Sequence, residues 1–415
     1  MLPKDWWRTR LESIADVRTG LAKGKTGLKD PVELPYLRVA NVQDGHLNLA
    51  KVKTIWVERD QIDRYRLKRG DVLMTEGGDF DKLGRGDVWR EQIPLCLHQN
   101  HVFVVRPDQN RLDSGFLAAM AASEYGRNYF LSCAKRSTNL ASINATQLKA
   151  FPVLLPCLEE QRGIAAALAT WDAAIATTER LLANSLEQKQ GLLGRLLIHD
   201  RQANTKQRGW SFVDFDEVFE RVSRKNTEGN TNVLTISGAL GLVNQRDYFK
   251  KSVSSVDLTG YTLLRQGEFA YNKSYSANYP MGAIKPLTRY ASGVVSSLYL
   301  CFRFREGIAV DADFFRHYFD AGMLDDCLAG IAQEGARNHG LLNVPIGDFF
   351  KLRLHIPDVD TQRRIAVALN MTEREQHLIR TQIARLRTEK SALMQQLLTG
   401  KRRVRLPASP EAASA

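Results

Sequence analysis

The chain has 415 residues, 44% of them hydrophobic and 25% charged, and a formal net charge of +12. Such a length exceeds a single small module and favours two domains of about 150 residues or more, and the composition is that of an ordinary folded protein. No apolar run approaches the roughly 18 residues of a membrane helix and the opening MLPKDWWRTRLES lacks a secretory apolar stretch, so a cytoplasmic protein without a membrane partner is expected.

Residues 1–157 read as a mixed α/β domain in which strands predominate. Strands are predicted at 36–42 (YLRVANV) and 101–106 (HVFVVR), where β-branched and aromatic residues are bounded by Gly, Pro, Asn and Asp, and a helix over 114–131. Enzyme signatures fail here. The stretch GLAKGKT from Gly20 has three residues between its glycines where a phosphate-binding loop needs four, and Gly84-Arg85-Gly86 lacks the third glycine of a dinucleotide fingerprint. His98 and His101 border a strand, which predicts packing or a hydrogen bond before metal binding. The five cysteines form no C-x-x-C, which predicts reduced thiols with neither a disulfide framework nor a zinc site. No metal site is therefore expected.

Residues 158–200 have the pattern of a spacer helix, with Pro156 just before it. Residues 201–357 form a second mixed α/β domain, entered through the polar linker RQANTKQRGW, with a strand predicted at 298–304 and a helix over 313–329. A second spacer helix follows at 358–405, preceded by Pro357 and closed by Gly400 as a C-cap, and residues 406–415 read as a flexible tail.

The two helices are copies. Gln161 to Arg201 aligns without a gap on Gln362 to Arg402, at an offset of 201 and with 12 of 41 positions identical. Asn139 and Asn144 correspond to Asn338 and Asn343, and Gly70-Asp71 to Gly267-Glu268, so the chain is a tandem duplication. Apolar residues in both helices recur with the 4-3 spacing of a coiled-coil seam. In the first copy the seam is Ile164, Leu168, Trp171, Ile175, Thr178, Leu182, Ser185, Lys189, Leu192 and Leu196. In the second it is Ile365, Leu369, Thr372, Gln376, Ile379, Ile383, Leu386, Lys390, Leu393 and Leu397. Forty helical residues reach about 60 Å. Because compact domains usually have neighbouring ends, the helices should run antiparallel, with residues near 1 and 400 close together. The expected fold is thus α/β (α+β): two similar globular domains separated by two long antiparallel helices in a pseudo-twofold repeat.

Net charge divides as +6 over residues 1–157, −2 over 158–200, +3 over 201–357 and +5 over 358–415. Each globular domain is modestly basic, which suits a nucleic-acid partner approached together with other subunits. Arg and Lys address phosphates and guanine, while Asn and Gln address adenine. Loops rich in these residues are the candidate DNA-binding elements. In the first domain they hold Lys23, Lys25 and Lys29; Arg38, Asn41 and Gln43; Lys82 and Arg85; and Lys135, Arg136, Thr138, Asn139 and Ser142. In the second they hold Asn272, Lys273, Tyr275 and Asn278; Lys285 and Arg289; and Arg337, Asn338 and His339.

Two variable domains, each followed by a long helix opening as PCLEEQRGIAAAL or PDVDTQRRIAVAL, resemble the specificity subunit of type I restriction-modification enzymes. The segments YLRVANVQDG, YNKSYSANYPMGAI and MQQLLTGKRRV carry the likeness further, while DVDT at Asp358 departs from the Leu-Glu-Glu more usual there. The resemblance implies that each globular domain is a target-recognition domain reading half of a bipartite, asymmetric site in double-stranded DNA. It also implies that the helices set a fixed spacer and dock two methyltransferase (M) subunits, with motor and nuclease (R) subunits completing the complex. S-adenosylmethionine, ATP and magnesium would reside on those partners, with no cofactor in this chain, which would be non-catalytic. Two domains on a rigid spacer would meet DNA about one helical turn apart. The rival readings are a stand-alone nuclease or P-loop protein, and a helical scaffold for an acidic protein.

Overall fold

The computed structural model describes residues 2–405 except 24–26, 79, 81–82, 137–140, 199–208, 239, 250–256, 277–278 and 335–339. The chain divides into two compact units. The first comprises residues 1–180 with 381–415 and the second residues 181–380, so each unit holds one globular domain and part of both long helices.

In the first unit, β1 (Trp7–Arg10) pairs antiparallel with β12 (Pro152–Leu155). A four-stranded sheet has the order β2-β9-β5-β7, formed by Ala15–Arg18, Val102–Pro107, Val72–Thr75 and Gly86–Val88. A three-stranded sheet joins β4 (Lys53–Glu58), β3 (Pro31–Leu37) and β8 (Leu97–His98), and another joins β10 (Lys135–Arg136), β11 (Ala141–Ser142) and β6 (Gly77–Gly78). The predicted strand at 36–42 ends at Leu37. Beyond it Asn41 folds back, its Oδ1 accepting from the Arg38 amide at 3.0 Å, and closes a helical turn over Val39–Asn41. The predicted helix over 114–131 is two helices, α1 (Ser114–Ala122) and α2 (Glu124–Cys133), separated by an extended Ser123 that caps the second.

The second unit repeats this plan. β13 (Trp210–Asp214) pairs with β24 (Arg353–Pro357). A four-stranded sheet runs β14-β21-β18-β19, from Phe219–Arg221, Leu300–Phe304, Phe269–Asn272 and Ala283–Pro286. The hairpin β15-β16 (Leu234–Ser237, Gly241–Asn244) and the antiparallel pair β17-β20 (Thr262–Arg265, Ser292–Val295) form two further two-stranded sheets. β22 (Gln333–Glu334) pairs with β23 (Leu342–Asn343). The predicted helix over 313–329 again divides, into α4 (Ala312–Asp320) and α5 (Asp325–Ile331), at the left-handed Gly322. The long helices are α3 (Leu158–Leu193) and α6 (Val359–Leu398).

Both helices are anchored in the cores. Ile164 and Leu168 at the start of α3, with Leu397 and Leu398 at the end of α6, pack into the first domain's core with Phe116, Phe151 and Leu155. Ile365 and Leu369 at the start of α6, with Leu193 and Leu197, do the same among Phe314, Tyr318 and Ile356. Ion pairs confirm antiparallel running within each unit. Arg387 donates to Glu179 at 2.6 Å and Lys390 to Asp172 in the first, and Lys189 meets Glu373 at 2.6 Å in the second. Every predicted seam position is buried or half-buried, with one shift. The chain takes a π turn over Gly194–Ile198, and the most buried leucines there are Leu193 and Leu197, one residue past the predicted Leu192 and Leu196. The wider i to i+5 turn carries Leu197 off the seam's register.

The repeated Gln-Arg-x-Ile-Ala opening has a structural meaning. Gln161 and Gln362 are 1% and 2% exposed. Gln161 Oε1 accepts from the Asp113 amide at 2.9 Å while its Nε2 donates to the carbonyls of Arg111 and Pro156. Gln362 likewise accepts from the Asp311 amide at 3.0 Å and donates to the Pro357 carbonyl. Asp113 and Asp311 in turn cap α1 and α4. One amide therefore fixes the first domain helix against the long helix in each copy. Gln161→Leu and Gln362→Leu, near-isosteric, are each expected to cost about 1–3 kcal/mol per buried backbone group left unmatched. Urea unfolding of the whole chain measures this, and a wild-type midpoint in both variants would refute it.

The chain ends also meet as expected. Gly400, at φ +70°, lies so close to Pro3 that a Cβ would stand 2.4 Å from its Cγ. Arg403 bridges Asp5 at 2.6 Å and Glu160 at 2.5 Å, and Trp6 Nε1 donates to Glu160 at 3.2 Å.

Candidate nucleic-acid interface

In each domain one surface gathers segments far apart in sequence at the end of the central strand. In the first, β5 runs into Glu76 and then β6, which pairs with β11 (Gly77 with Ser142, Gly78 with Ala141), and β11 pairs with β10. The loops predicted from GGDFDKLGRGD and AKRSTNLAS thus come together here. Gly77 is required at that approach, since a Cβ would lie 2.8 Å from the Ala141 carbonyl oxygen. In the second domain β18 runs into Lys273, and Ser274 bridges to Leu341 beside β23, bringing YNKSYSANYP to EGARNHG.

Of the predicted first-domain residues, Lys23, Lys29, Lys135 and Ser142 are exposed, and Arg38, Gln43 and Arg85 half-buried. In the second domain Arg289 and Tyr275 are exposed, Tyr275 by 53%, while Asn272 and Lys273 are half-buried. Lys25, Lys82, Thr138, Asn139, Asn278, Arg337, Asn338 and His339, together with the Arg136 side chain, lie outside the described residues. The Nε atoms of Arg38 and Arg85 are buried with no acceptor among the described residues.

Two assignments are corrected. Asn41 is 3% exposed and spends its amide on the Asn48 and Lys51 carbonyls, so it shapes its loop and presents nothing outward. Lys285 is 5% exposed, with its ammonium on Asp320 at 2.5 Å and Tyr279 at 3.0 Å. Burial opposes its charge, but the Asp320 carboxylate prevails and holds its pKa above the ordinary lysine value. Both residues look like DNA readers by type, and only packing separates them from true surface groups.

His98 and His101 behave as predicted. His98 Nδ1 lies 2.8 Å from the Val102 carbonyl, and burial pushes its pKa down to about 4. His101 Nδ1 lies 2.5 Å from Glu76 Oε2. Burial pushes the Cys96 and Cys301 thiols up to about 12, far from a reactive range. Among the described residues no group of His, Cys, Asp or Glu is placed to hold a metal ion, and no helix is long and apolar enough to cross a membrane.

A groove of about 1130 Å³ in the first unit runs between the domain and the long helices. Its cations are already answered: Arg127 by Asp44, Arg387 by Glu179 and Lys390 by Asp172. It is therefore no ready anion site.

Sequence reasoning missed the buried carboxylate–guanidinium pairs. Arg106 grips Asp71 at 2.7 and 2.8 Å, and Arg224 grips Glu268 at 3.1 and 3.2 Å. Each acid follows a left-handed glycine, Gly70 at φ +90° and Gly267 at φ +88°, so the corresponding Gly-acid pairs were the available signal.

Comparison with known proteins shows what the chain is similar to. Residues 3–188 match the family model of the type I restriction modification DNA specificity domain. The resemblance to type I specificity subunits read from the helix openings is thereby borne out. In particular, the chain is 29% identical over 197 residues to a putative type I restriction enzyme MjaX specificity subunit of Methanocaldococcus jannaschii, covering 47% of this chain and 46% of that protein. It is 28% identical over 194 residues to the StySPI specificity subunit of Salmonella potsdam, covering 46% and 42%. These matches span about half the length of the relatives. A chain from a structure of the type I R-M system, concerned with complex assembly and conformational transition, superposes with a TM-score of 0.59 at 14% identity, covering 97% of this chain and 100% of that one. That likeness is one of fold.

Proposed function

We propose that this chain is the DNA sequence-recognition subunit of a type I restriction-modification complex. Each globular domain reads one half of a bipartite site in double-stranded DNA, and the helices set the spacer and dock two M subunits. The chain chooses the site and contributes no catalytic group. S-adenosylmethionine-dependent adenine methylation belongs to the M subunits, and ATP- and magnesium-dependent translocation and cleavage to the R subunits. The observation that carries the reading is the DNA specificity domain matched over residues 3–188. The repeated plan supports it: both four-stranded sheets share one topology, and both central strands end beside a hairpin drawn from the candidate loops. A stand-alone nuclease, a P-loop protein and an acidic-protein scaffold are the less favoured readings.

Long-read detection of methylated adenines in a host carrying this chain with its M subunit tests the proposal. One split motif with a fixed gap is the expected result; DNA cleavage or ATP hydrolysis by the purified chain alone would overturn it. In the same assay Arg85→Ala and Arg337→Ala are each expected to relax one base position, at a cost of about 1–3 kcal/mol. Unaltered site preference in both variants would remove those two residues from the interface.

A further inference from the structure

Glu76 and Lys273 occupy the same place in the two domains. Each is the first residue after the central strand of its four-stranded sheet, β5 or β18. Each uses its carbonyl in the same backbone bond, accepting from Ile143 at 2.8 Å and from Leu342 at 2.9 Å. Each is followed by a residue paired across to the strand that leads back toward the long helix, Gly77 to Ser142 and Ser274 to Leu341. The repeat thus preserves the backbone of this position while reversing its charge.

The carboxylate is the informative member. On a surface that meets DNA a lysine can be satisfied by a phosphate, whereas a carboxylate is repelled by the backbone, and the donor that DNA offers it is a base amino group. Glu76 is also held in place. Its amide donates to the His101 carbonyl at 3.1 Å and its Oε2 sits 2.5 Å from His101 Nδ1, which orients Oε1. Its side chain is 32% exposed, so the carboxylate stands at the surface on a fixed stem. Lys273, on the equivalent stem, offers only donors.

We infer that this position reads one base in each half-site, Glu76 accepting from a cytosine amino group in the half read by the first domain and Lys273 donating to a guanine in the half read by the second. His101 is a positioning residue for Glu76. The inference rests on the DNA-reading function proposed above and adds the rule by which the two halves differ: at equivalent positions one domain seeks a donor and the other an acceptor.

The experiment is methylome sequencing of cells expressing the full chain, wild type or variant, with its M subunit. Glu76→Gln should lower discrimination for cytosine at one position of one half-site by roughly tenfold to a hundredfold and leave the other half-site unaltered. Lys273→Gln should do the same for one guanine in the other half-site. Should Glu76→Gln fail to fold, as read by thermal unfolding, His101→Ala frees the carboxylate without changing the strand and should blur the same base. A wild-type motif in Glu76→Gln, His101→Ala and Lys273→Gln would overturn the inference while leaving the DNA-reading function standing. Absence of any split motif in the wild type would overturn both.

Discussion

Exchanging residues 1–157 for the corresponding domain of another such protein is expected to replace one half-site of the methylated motif completely and leave the other unaltered. The structure adds a condition. The cut falls between β12 and α3, a point of simple connectivity but not of packing, because Ile164 and Leu168 of α3 and Leu397 and Leu398 of α6 are fully part of the first domain's core. Gly115 faces Ala165 so closely that a Cβ would stand 3.2 Å from it, and Gln161 holds the Asp113 and Arg111 backbone. A graft that keeps a small residue at position 115 and a capping acid at 113 should fold. One that brings a large side chain to 115 should lose stability by about 1–3 kcal/mol from overpacking. Methylome sequencing reads the first outcome and thermal unfolding the second. A change in both half-sites would contradict separate reading by the two domains.

Glu373→Gln is expected to destabilise the second unit strongly and in a pH-dependent way. Its carboxylate accepts from Lys189 at 2.6 Å and Arg316 at 2.9 Å; Arg316 also reaches Asn370 Oδ1 at 2.6 Å, and Asn370 Nδ2 donates to Asp313 at 2.8 Å. Burial raises the Glu373 pKa, but the hydrogen bonds and charges of Arg316 and Lys189 outweigh it and hold the value at about 2. A folded pKa below the unfolded one gives stability that is complete above the ordinary carboxylate range and is lost as pH falls from there through about 2. Breaking this pair at neutral pH should cost about 3 kcal/mol. The difference between wild type and Glu373→Gln in urea unfolding should be full at pH 7 and shrink as pH approaches 2. His317 adds a further acid sensitivity. It is fully buried and burial, with Arg316, depresses its pKa, so protons favour the unfolded chain once pH falls below the ordinary histidine value. A constant gap between wild type and variant from pH 7 to pH 2 would show that Glu373 is not held ionised by its partners.

The repeat explains why this network exists in one copy only. Asp172 and Glu373 are related by the same offset of 201 as Lys189 and Lys390, so the lysine–carboxylate bridge between the helices was duplicated with them. The domain side diverged. Where α4 presents Arg316 and His317 to α6, α1 presents Ala118 and Ala119, which pack on the first domain's core. One junction is polar and pH-sensitive, the other apolar and closely packed.

Much of this was legible in the sequence. Helical seams are local: a 4-3 recurrence puts side chains on one stripe wherever the helix goes, and every predicted seam position is buried or half-buried. The gapless offset of 201 likewise foretold paired features, down to the Gln161 and Gln362 clamps. The seam slipped at Leu193 and Leu197, where α3 ends and passes into a π turn.

The candidate interface was legible only as a set of loops. That the loop after β5 lies against the hairpin before α3 depends on Gly77 meeting Ser142, a pairing across 65 positions of chain. Whether a polar side chain faces outward was likewise undecided: Asn41 and Lys285 have the composition of readers, but their donors are consumed within the fold. The sequence by itself determined the duplication, the long helices and their antiparallel return, because periodicity and repeat register are properties of the chain. Tertiary structure alone decided which charged residues stand exposed and which are consumed within the fold, because that depends on non-local hydrogen bonds and burial that no spacing along the chain encodes.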